Sequence, residues 1–179
     1  MLYDMELKLG NRRLKLIDGK VHTVKFSSLG IEIKSGRFSP IKFTKNTDGY
    51  KRCNIIIDGR PTMLCEHRLV WKLTHPDWDI WDTSQDNMID HYNRKRDDNR
   101  IENLHVVNQQ QNQWNRDDKG YYWEKRINKW AAQITLNGKK INLGYFENEE
   151  DAAAAYLEGK AKYHVIAAPP APGHAALTD

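Results

Sequence analysis

Apolar and polar positions alternate through the first 65 residues between turn signals: Val21, Val24 and Phe26, then Ile31 and Ile33, then Asn54 to Ile57, Asp58-Gly59, and Thr62 to Leu64. A period near two, broken by turn residues, predicts several short antiparallel strands. From Glu66 the spacing lengthens, and Leu69, Val70, Trp71 and Leu73 predict a short helix that stops before Pro76. Trp78 and Trp81 follow in an Asp-rich loop and are expected to pack over the next unit. Met88-Ile89 and Leu104 to Val107 read as strands around a long polar loop, and Asn108 is placed to cap a helix carrying Gln109 to Asn115. The order is strand, loop, strand, helix.

The charged turn Asp117-Asp118-Lys119-Gly120 then reads as a hinge. After it, Tyr121-Tyr122-Trp123, Trp130 to Leu136 and Lys140 to Phe146 predict three strands joined at Ile127-Asn128 and Asn137-Gly138. Asn148, followed by Glu149, Glu150 and Asp151, predicts a capped helix running to about Lys162 or Tyr163, with Gly159 as its weak point. The fold class is α+β. Residues 1–116 form one domain, 117–166 a second, and the proline-rich 167–179 a disordered tail.

Length and composition narrow the function. A chain of 179 residues with 39% hydrophobic content excludes a large enzyme. Mean hydropathy is −0.81, no apolar run approaches the roughly 18 residues of a membrane span, and MLYDMELKLG lacks the pattern of a secretory signal. A soluble, intracellular protein without membrane partners is expected. Cys53 and Cys65 cannot form a four-thiolate zinc site and read as buried thiols. Charge is uneven: residues 91–140 hold 11 basic against 6 acidic side chains, whereas 147–179 hold 2 against 6. A basic middle interleaved with Trp114, Tyr121, Tyr122, Trp123 and Trp130 suits a polyanion such as nucleic acid.

The chemistry concentrates at residues 88–116. Asp90 and His91 are adjacent where a strand enters a loop, so both side chains can reach one cavity, and Asn112 lies one turn into the following helix. A carboxylate and an amide oxygen are hard ligands that suit magnesium or manganese, with water or phosphate in the remaining positions. A neutral imidazole beside them can take a proton from attacking water. His91 to Asn103 spans 12 residues and Asn103 to Asn112 spans 9, room for a loop, a return strand and a helical turn. His22, His75, His105, His164 and His174 have no such company and read as structural or exposed, and His67 as a packing residue.

Ile-Asp-His, then Asp-Asn-Arg-Ile-Glu-Asn-Leu, then an Asn in a helix resembles the HNH endonucleases of phages and mobile introns. Upstream, Glu66-His67-Arg68-Leu69-Val70-Trp71 resembles the helix that precedes the motif in phage members. The resemblance implies a ββα-metal (His-Me finger) core with His91 as general base, Asn103 holding the catalytic loop, and Asp90 and Asn112 as ligands of a divalent metal. Asn99 is a second candidate for the loop-holding role. Cleavage would leave 5′-phosphate and 3′-hydroxyl ends.

Lys-Gly-Tyr-Tyr-Trp, Lys-Trp-Ala-Ala-Gln-Ile, Leu-Gly-Tyr-Phe and Glu-Asp-Ala-Ala-Ala-Ala-Tyr, within residues 119–164, resemble an APETALA2-type DNA-binding domain, a three-stranded sheet backed by one helix. On that resemblance Ala132, Ile134, Ile141, Leu143 and Phe146 face Ala152, Ala155 and Tyr156. Lys119, Tyr122, Gln133, Thr135, Lys140 and Asn142 contact DNA, with Lys125, Arg126 and Lys129 near phosphates. Arg94, Lys95, Arg96 and Arg100 would grip phosphates near the cut. The combined expectation is a metal-dependent homing endonuclease acting on double-stranded DNA; the alternative is a non-catalytic DNA-binding regulator. One active site per chain makes a single-strand nick the simpler product.

Overall fold

Turn residues with positive φ fix the strand pairings. Asp18 and Gly19 (φ 47° and 70°) join β2 (Arg12–Ile17) to β3 (Lys20–Val24), and Asp58 and Gly59 (φ 49° and 77°) join β6 (Lys51–Ile57) to β7 (Arg60–Cys65). Such Asx-Gly turns match the twist of an antiparallel hairpin. β1 (Glu6–Leu9) and β4 (Phe38–Pro40) complete a four-stranded sheet in the order β1-β2-β3-β4, and β5 (Thr44–Lys45) adds an edge to β6-β7. In this computed structural model residues 6–24 and 37–165 are described; Phe26, Ile31, Ile33, His174 and the expected tail lie outside them.

The chain is a mixed α/β protein with antiparallel sheets and few helices, and it divides into two compact units, the first ending at Val106 and the second running from Val107 to Ala168. In the first, α1 (Glu66–Thr74) buries Leu69, Val70, Trp71 and Leu73 against Leu9, Leu14, Val21, Cys53, Ile57 and Leu64 of the sheets. The helix ends as expected before Pro76, and the capping residue His75 stacks on Trp71 with ring centroids 3.8 Å apart. Arg68 donates to Ile80 O and Asp82 O and lies over the Trp78 ring, which ties the following loop to the helix. Trp78 packs on the core beneath Arg68, whereas Trp81 is exposed. Cys53 is a buried free thiol, while Cys65, at the junction of β7 and α1, is only half-buried. β8 (Met88–His91) and β9 (Leu104–Val107) form a separate two-stranded sheet whose Ile89 and Leu104 join the same core.

In the second unit, α2 (Gln109–Trp114) begins with a reciprocal cap: Asn108 Oδ1 accepts from Gln111 N–H and Gln111 Oε1 accepts from Asn108 N–H. β10 (Tyr121–Glu124), β11 (Lys129–Leu136) and β12 (Lys139–Phe146) make an antiparallel sheet backed by α3 (Glu149–Tyr163), which Asn148 caps through Asp151 N–H. Ala132, Ile134, Ala152 and Tyr156 form the core, with Ile141, Leu143, Phe146 and Ala155 packed around it. The Trp114 ring stacks on His164 at 4.6 Å, and Lys160 Nζ donates to Arg116 O. Those contacts hold α2 to the end of α3, so the division of the chain falls ahead of the charged turn at 117–120. Among the described residues no helix is long and apolar enough to cross a membrane.

Gly159 is buried where α3 passes Leu143; a Cβ there would stand 2.6 Å from Leu143 Cδ1. The glycine that weakens the helix by propensity is thus the one that lets it approach the sheet. Gly120 is tighter still, where an added methyl would meet Tyr156 Cε2 at 2.1 Å and Gln133 O at 2.8 Å. Gly120→Ala is therefore expected to destabilise the chain by about 1–3 kcal/mol through overpacking, read as a shift in the denaturant midpoint at unchanged slope; an unaltered midpoint would contradict the packing described.

Candidate active site

His91 closes β8 with its side chain almost wholly enclosed, 2% exposed. Burying an imidazole demands partners for its polar atoms, and the loop after β8 supplies one: His91 Nε2 lies 2.8 Å from Asn99 Oδ1. The amide's orientation follows from its other end, where Asn99 Nδ2 donates to Glu66 Oε2 at 2.6 Å. A carboxylate can only accept, so the amide oxygen must face the ring. His91 then carries its proton on Nε2, and Nδ1 is the basic nitrogen of the neutral ring. The flanking walls are aromatic, His67 edge-on at 5.2 Å and Tyr50 at 5.9 Å between ring centroids.

Asn103 does different work. Its Oδ1 accepts from Asn93 N–H, and its Nδ2 donates to Asn93 Oδ1 and Asp98 O, all at 2.8–2.9 Å, while its carbonyl accepts from Tyr92 N–H. The side chain thus clamps both ends of the loop between the two strands. Asn99 and Asn103, two candidates for one role from sequence, occupy two positions: Asn99 holds the ring and Asn103 holds the loop. Glu66 and Tyr50 carry no sequence signal of their part in the site because they join it only through the packing of α1 and β6.

Asp90 and His91 point into different surroundings, as successive strand residues do. His91 meets Asn99, His67 and Tyr50, whereas Asp90 Oδ2 stands 3.5 Å from His105 Nε2 on β9. Tyr50 is near both: burial raises its hydroxyl pKa, the Arg96 guanidinium opposes that, and the Asp90 carboxylate reinforces it. His105, read from the sequence as structural or exposed, is buried. It is 5% exposed, and neither ring nitrogen has a hydrogen-bond partner among the described residues; a separation of 3.5 Å without hydrogen-bond alignment leaves the carboxylate and imidazole facing each other across a gap. A carboxylate beside an orphaned buried imidazole is a donor set that suits a divalent cation. Asn112 lies one turn into α2, its N–H donating to Asn108 O. Among the described residues no group of three His, Cys, Asp or Glu side chains gathers that could hold a metal alone, so amide or water ligands would have to complete the shell.

The basic residues separate by partner. Arg94, Lys95, Arg96 and Arg100 all lie on the loop after β8. Arg96 donates to Asp48 O and lies over Tyr50, and Arg100 forms a two-pronged pair with Asp98 that holds that carboxyl well below its usual range. In the second unit the register puts Tyr122, Gln133, Thr135, Lys140 and Asn142 on one face of the sheet, with Ala131 between Tyr122 and Tyr145. Lys119 instead reaches Glu149 in the first turn of α3, on the helix side, and Lys129 pairs with Glu147. Lys125 and Arg126 are exposed in the turn between β10 and β11.

Residues 66–114 match the HNH endonuclease family. No curated protein and no solved structure matches the chain. The matched segment opens at Glu66 and runs past Asn112, so it contains the whole Glu66–Asn99–His91 chain of hydrogen bonds, the Asn103 clamp and the Asp90–His105 pair. Residues 66–114 thus carry an HNH endonuclease domain.

Burial first, then the neighbouring His91 and the guanidiniums of Arg68 and Arg52, push the His67 pKa down to about 3. In the unfolded chain a histidine titrates near ~6.5. Because the folded state refuses a proton that the unfolded state accepts, stability is expected to fall as pH drops from about 6.5 toward 3, by a few kcal/mol in all. Chemical denaturation at a series of pH values measures this slope, and His67→Phe should flatten it; an NMR titration placing the His67 midpoint above about 5 would refute it.

Proposed function

We propose that the chain is a metal-dependent DNA endonuclease of the phage-type homing class, in which His91 is the general base. The observation that carries this reading is the Glu66–Asn99–His91 chain of hydrogen bonds lying inside the segment that matches the HNH family. His91 takes the proton of the attacking water at Nδ1. As the ring becomes an imidazolium, Asn99 Oδ1 accepts a stronger hydrogen bond from Nε2–H, and Glu66 polarises the amide from behind. Asn103 keeps the loop closed under the ring, so the base meets its substrate in one orientation. Asp90 would be a ligand of the divalent ion, and Asn112 is the further ligand position that the HNH pattern implies; such an ion, when bound, would neutralise charge on the scissile phosphate and the departing 3′ oxygen. Magnesium or manganese fits an oxygen-rich pair of this kind.

The second unit supplies target preference in the manner of an APETALA2-like domain. Tyr122, Gln133, Thr135, Lys140 and Asn142 share the sheet face away from α3, where side chains can reach base edges in a major groove. Arg94, Lys95, Arg96 and Arg100 contribute phosphate contacts near the cut, and Lys125, Arg126 and Lys129 others at the turn. The partner is double-stranded DNA inside the cell, engaged by a single chain that nicks one strand.

Supercoiled plasmid incubated with the protein and magnesium is expected to relax to the nicked form, with chelator preventing it. His91→Ala should lower the nicking rate by about 10²–10⁴-fold at unchanged DNA affinity, and Asn99→Ala should lower it by a smaller factor. Sequence-specific binding without a break in any DNA tested would leave the regulator alternative standing. For the sheet face, Gln133→Ala should relax base preference at one position by about 1–3 kcal/mol, while Lys140→Ala should weaken binding to all sequences alike, as competition gel shifts would show.

A further inference from the structure

We propose that His105 is a metal ligand in its own right: with Asp90 it forms a carboxylate–imidazole pair across β8 and β9 that selects a borderline divalent cation, Mn²⁺, Co²⁺, Ni²⁺ or Zn²⁺, over Mg²⁺. The inference rests on the nuclease reading only in taking Asp90 as a ligand.

Three observations carry it. His105 is buried in a strand with both ring nitrogens lacking a hydrogen-bond partner among the described residues, so neither tautomer of the ring, nor a flipped ring, is satisfied by them. Leaving such a group unsatisfied is costly, and a cation would give one of its nitrogens a partner. The Asp90 Oδ2 to His105 Nε2 separation is 3.5 Å. Two donors each about 2.1 Å from one ion stand ~3.0 Å apart at a right angle and ~3.4 Å apart at the tetrahedral angle, so the pair is already spaced for a shared ion. Finally, the Tyr92 ring packs edge-on against His105 at 5.6 Å, which holds the imidazole in that orientation.

The choice of ion follows from the donors. Magnesium takes oxygen ligands almost exclusively and demands near-octahedral geometry, whereas imidazole nitrogen suits the later first-row ions. Replacing one hard position by His105 therefore moves preference away from Mg²⁺ without excluding it, since Asp90, amide oxygen and water can still serve a magnesium ion.

The test uses the full chain titrated with Co²⁺ and separately with Mg²⁺, by calorimetry and, for Co²⁺, by proton NMR. The wild type is expected to bind Co²⁺ more tightly than Mg²⁺ and to show a strongly shifted, exchangeable imidazole N–H resonance. In His105→Gln, with folding checked by circular dichroism, that resonance should vanish and Co²⁺ affinity should fall by at least ~10–100-fold, the range already reached by losing an outer-shell partner. Mg²⁺ affinity should change by less than about threefold, because magnesium does not depend on an imidazole. A wild type without the shifted resonance overturns the assignment even if His105→Gln misfolds, as does a folded His105→Gln that keeps its Co²⁺ affinity; in either case magnesium-driven nicking would leave the nuclease reading intact. Tight Co²⁺ binding with the resonance, but no cleavage of any DNA, would support the ligand pair and sink the nuclease reading instead.

Discussion

The hydrogen-bonded chain from Glu66 through Asn99 to His91 is the constraint on which the rest of the first unit turns. Each member fixes the next: a carboxylate that only accepts sets the amide, and the amide sets the tautomer of a ring that has almost no contact with solvent. Glu66 is the first residue of α1, so the buried apolar face of that helix, Leu69, Val70 and Leu73, also positions the far end of this chain. Core packing and the chemistry of the site are therefore one problem. A shift of α1 by a fraction of an ångström would lengthen the Glu66–Asn99 bond and release the amide to flip.

The two asparagines of the Asp-Asn-Arg-Ile-Glu-Asn-Leu string show how geometry divides labour that spacing leaves undivided. Asn103 spends both N–H donors and its oxygen on Asn93 and Asp98. Neither N–H of its side chain remains to hold a histidine. Asn99, four residues earlier in the same string, bridges the ring and α1 instead.

Local signals in the sequence are legible where local physics decides the outcome. Asp58-Gly59 and Asn137-Gly138 adopt the positive φ that their hairpins need, Asn108 and Asn148 cap the helices assigned to them, and α1 stops ahead of Pro76. The face of the three-stranded sheet that packs on α3 also follows from alternation. What stays hidden depends on contacts between residues far apart in the chain. Glu66 lies 33 positions from Asn99, and no periodicity announces that they meet. His105 gives no local sign of where it lies, because its neighbours in sequence are apolar and its approach to Asp90 comes from the pairing of two strands. Lys119, expected among the DNA contacts, is paired with Glu149 in the first turn of α3, a contact 30 positions away that no local pattern announces.

The loop that carries Arg94, Lys95, Arg96 and Arg100 shows why net charge alone is a weak guide to a phosphate-binding surface. Its two acids are already engaged, Asp97 by Lys45 at 2.7 Å and Asp98 by Arg100 at 2.8 Å. The Arg100 guanidinium stands in solvent, where water and salt screen its pairing, so exchanging a carboxylate for a phosphate costs it little. Arg96 is different, because its guanidinium is committed to Asp48 O and to the Tyr50 ring beside His91. Drawing Arg96 toward a phosphate would loosen the wall of the site, whereas leaving it in place keeps a cation next to the aromatic cage. The loop thus holds cations of two kinds, those able to trade partners at small cost and one whose present contacts brace the histidine.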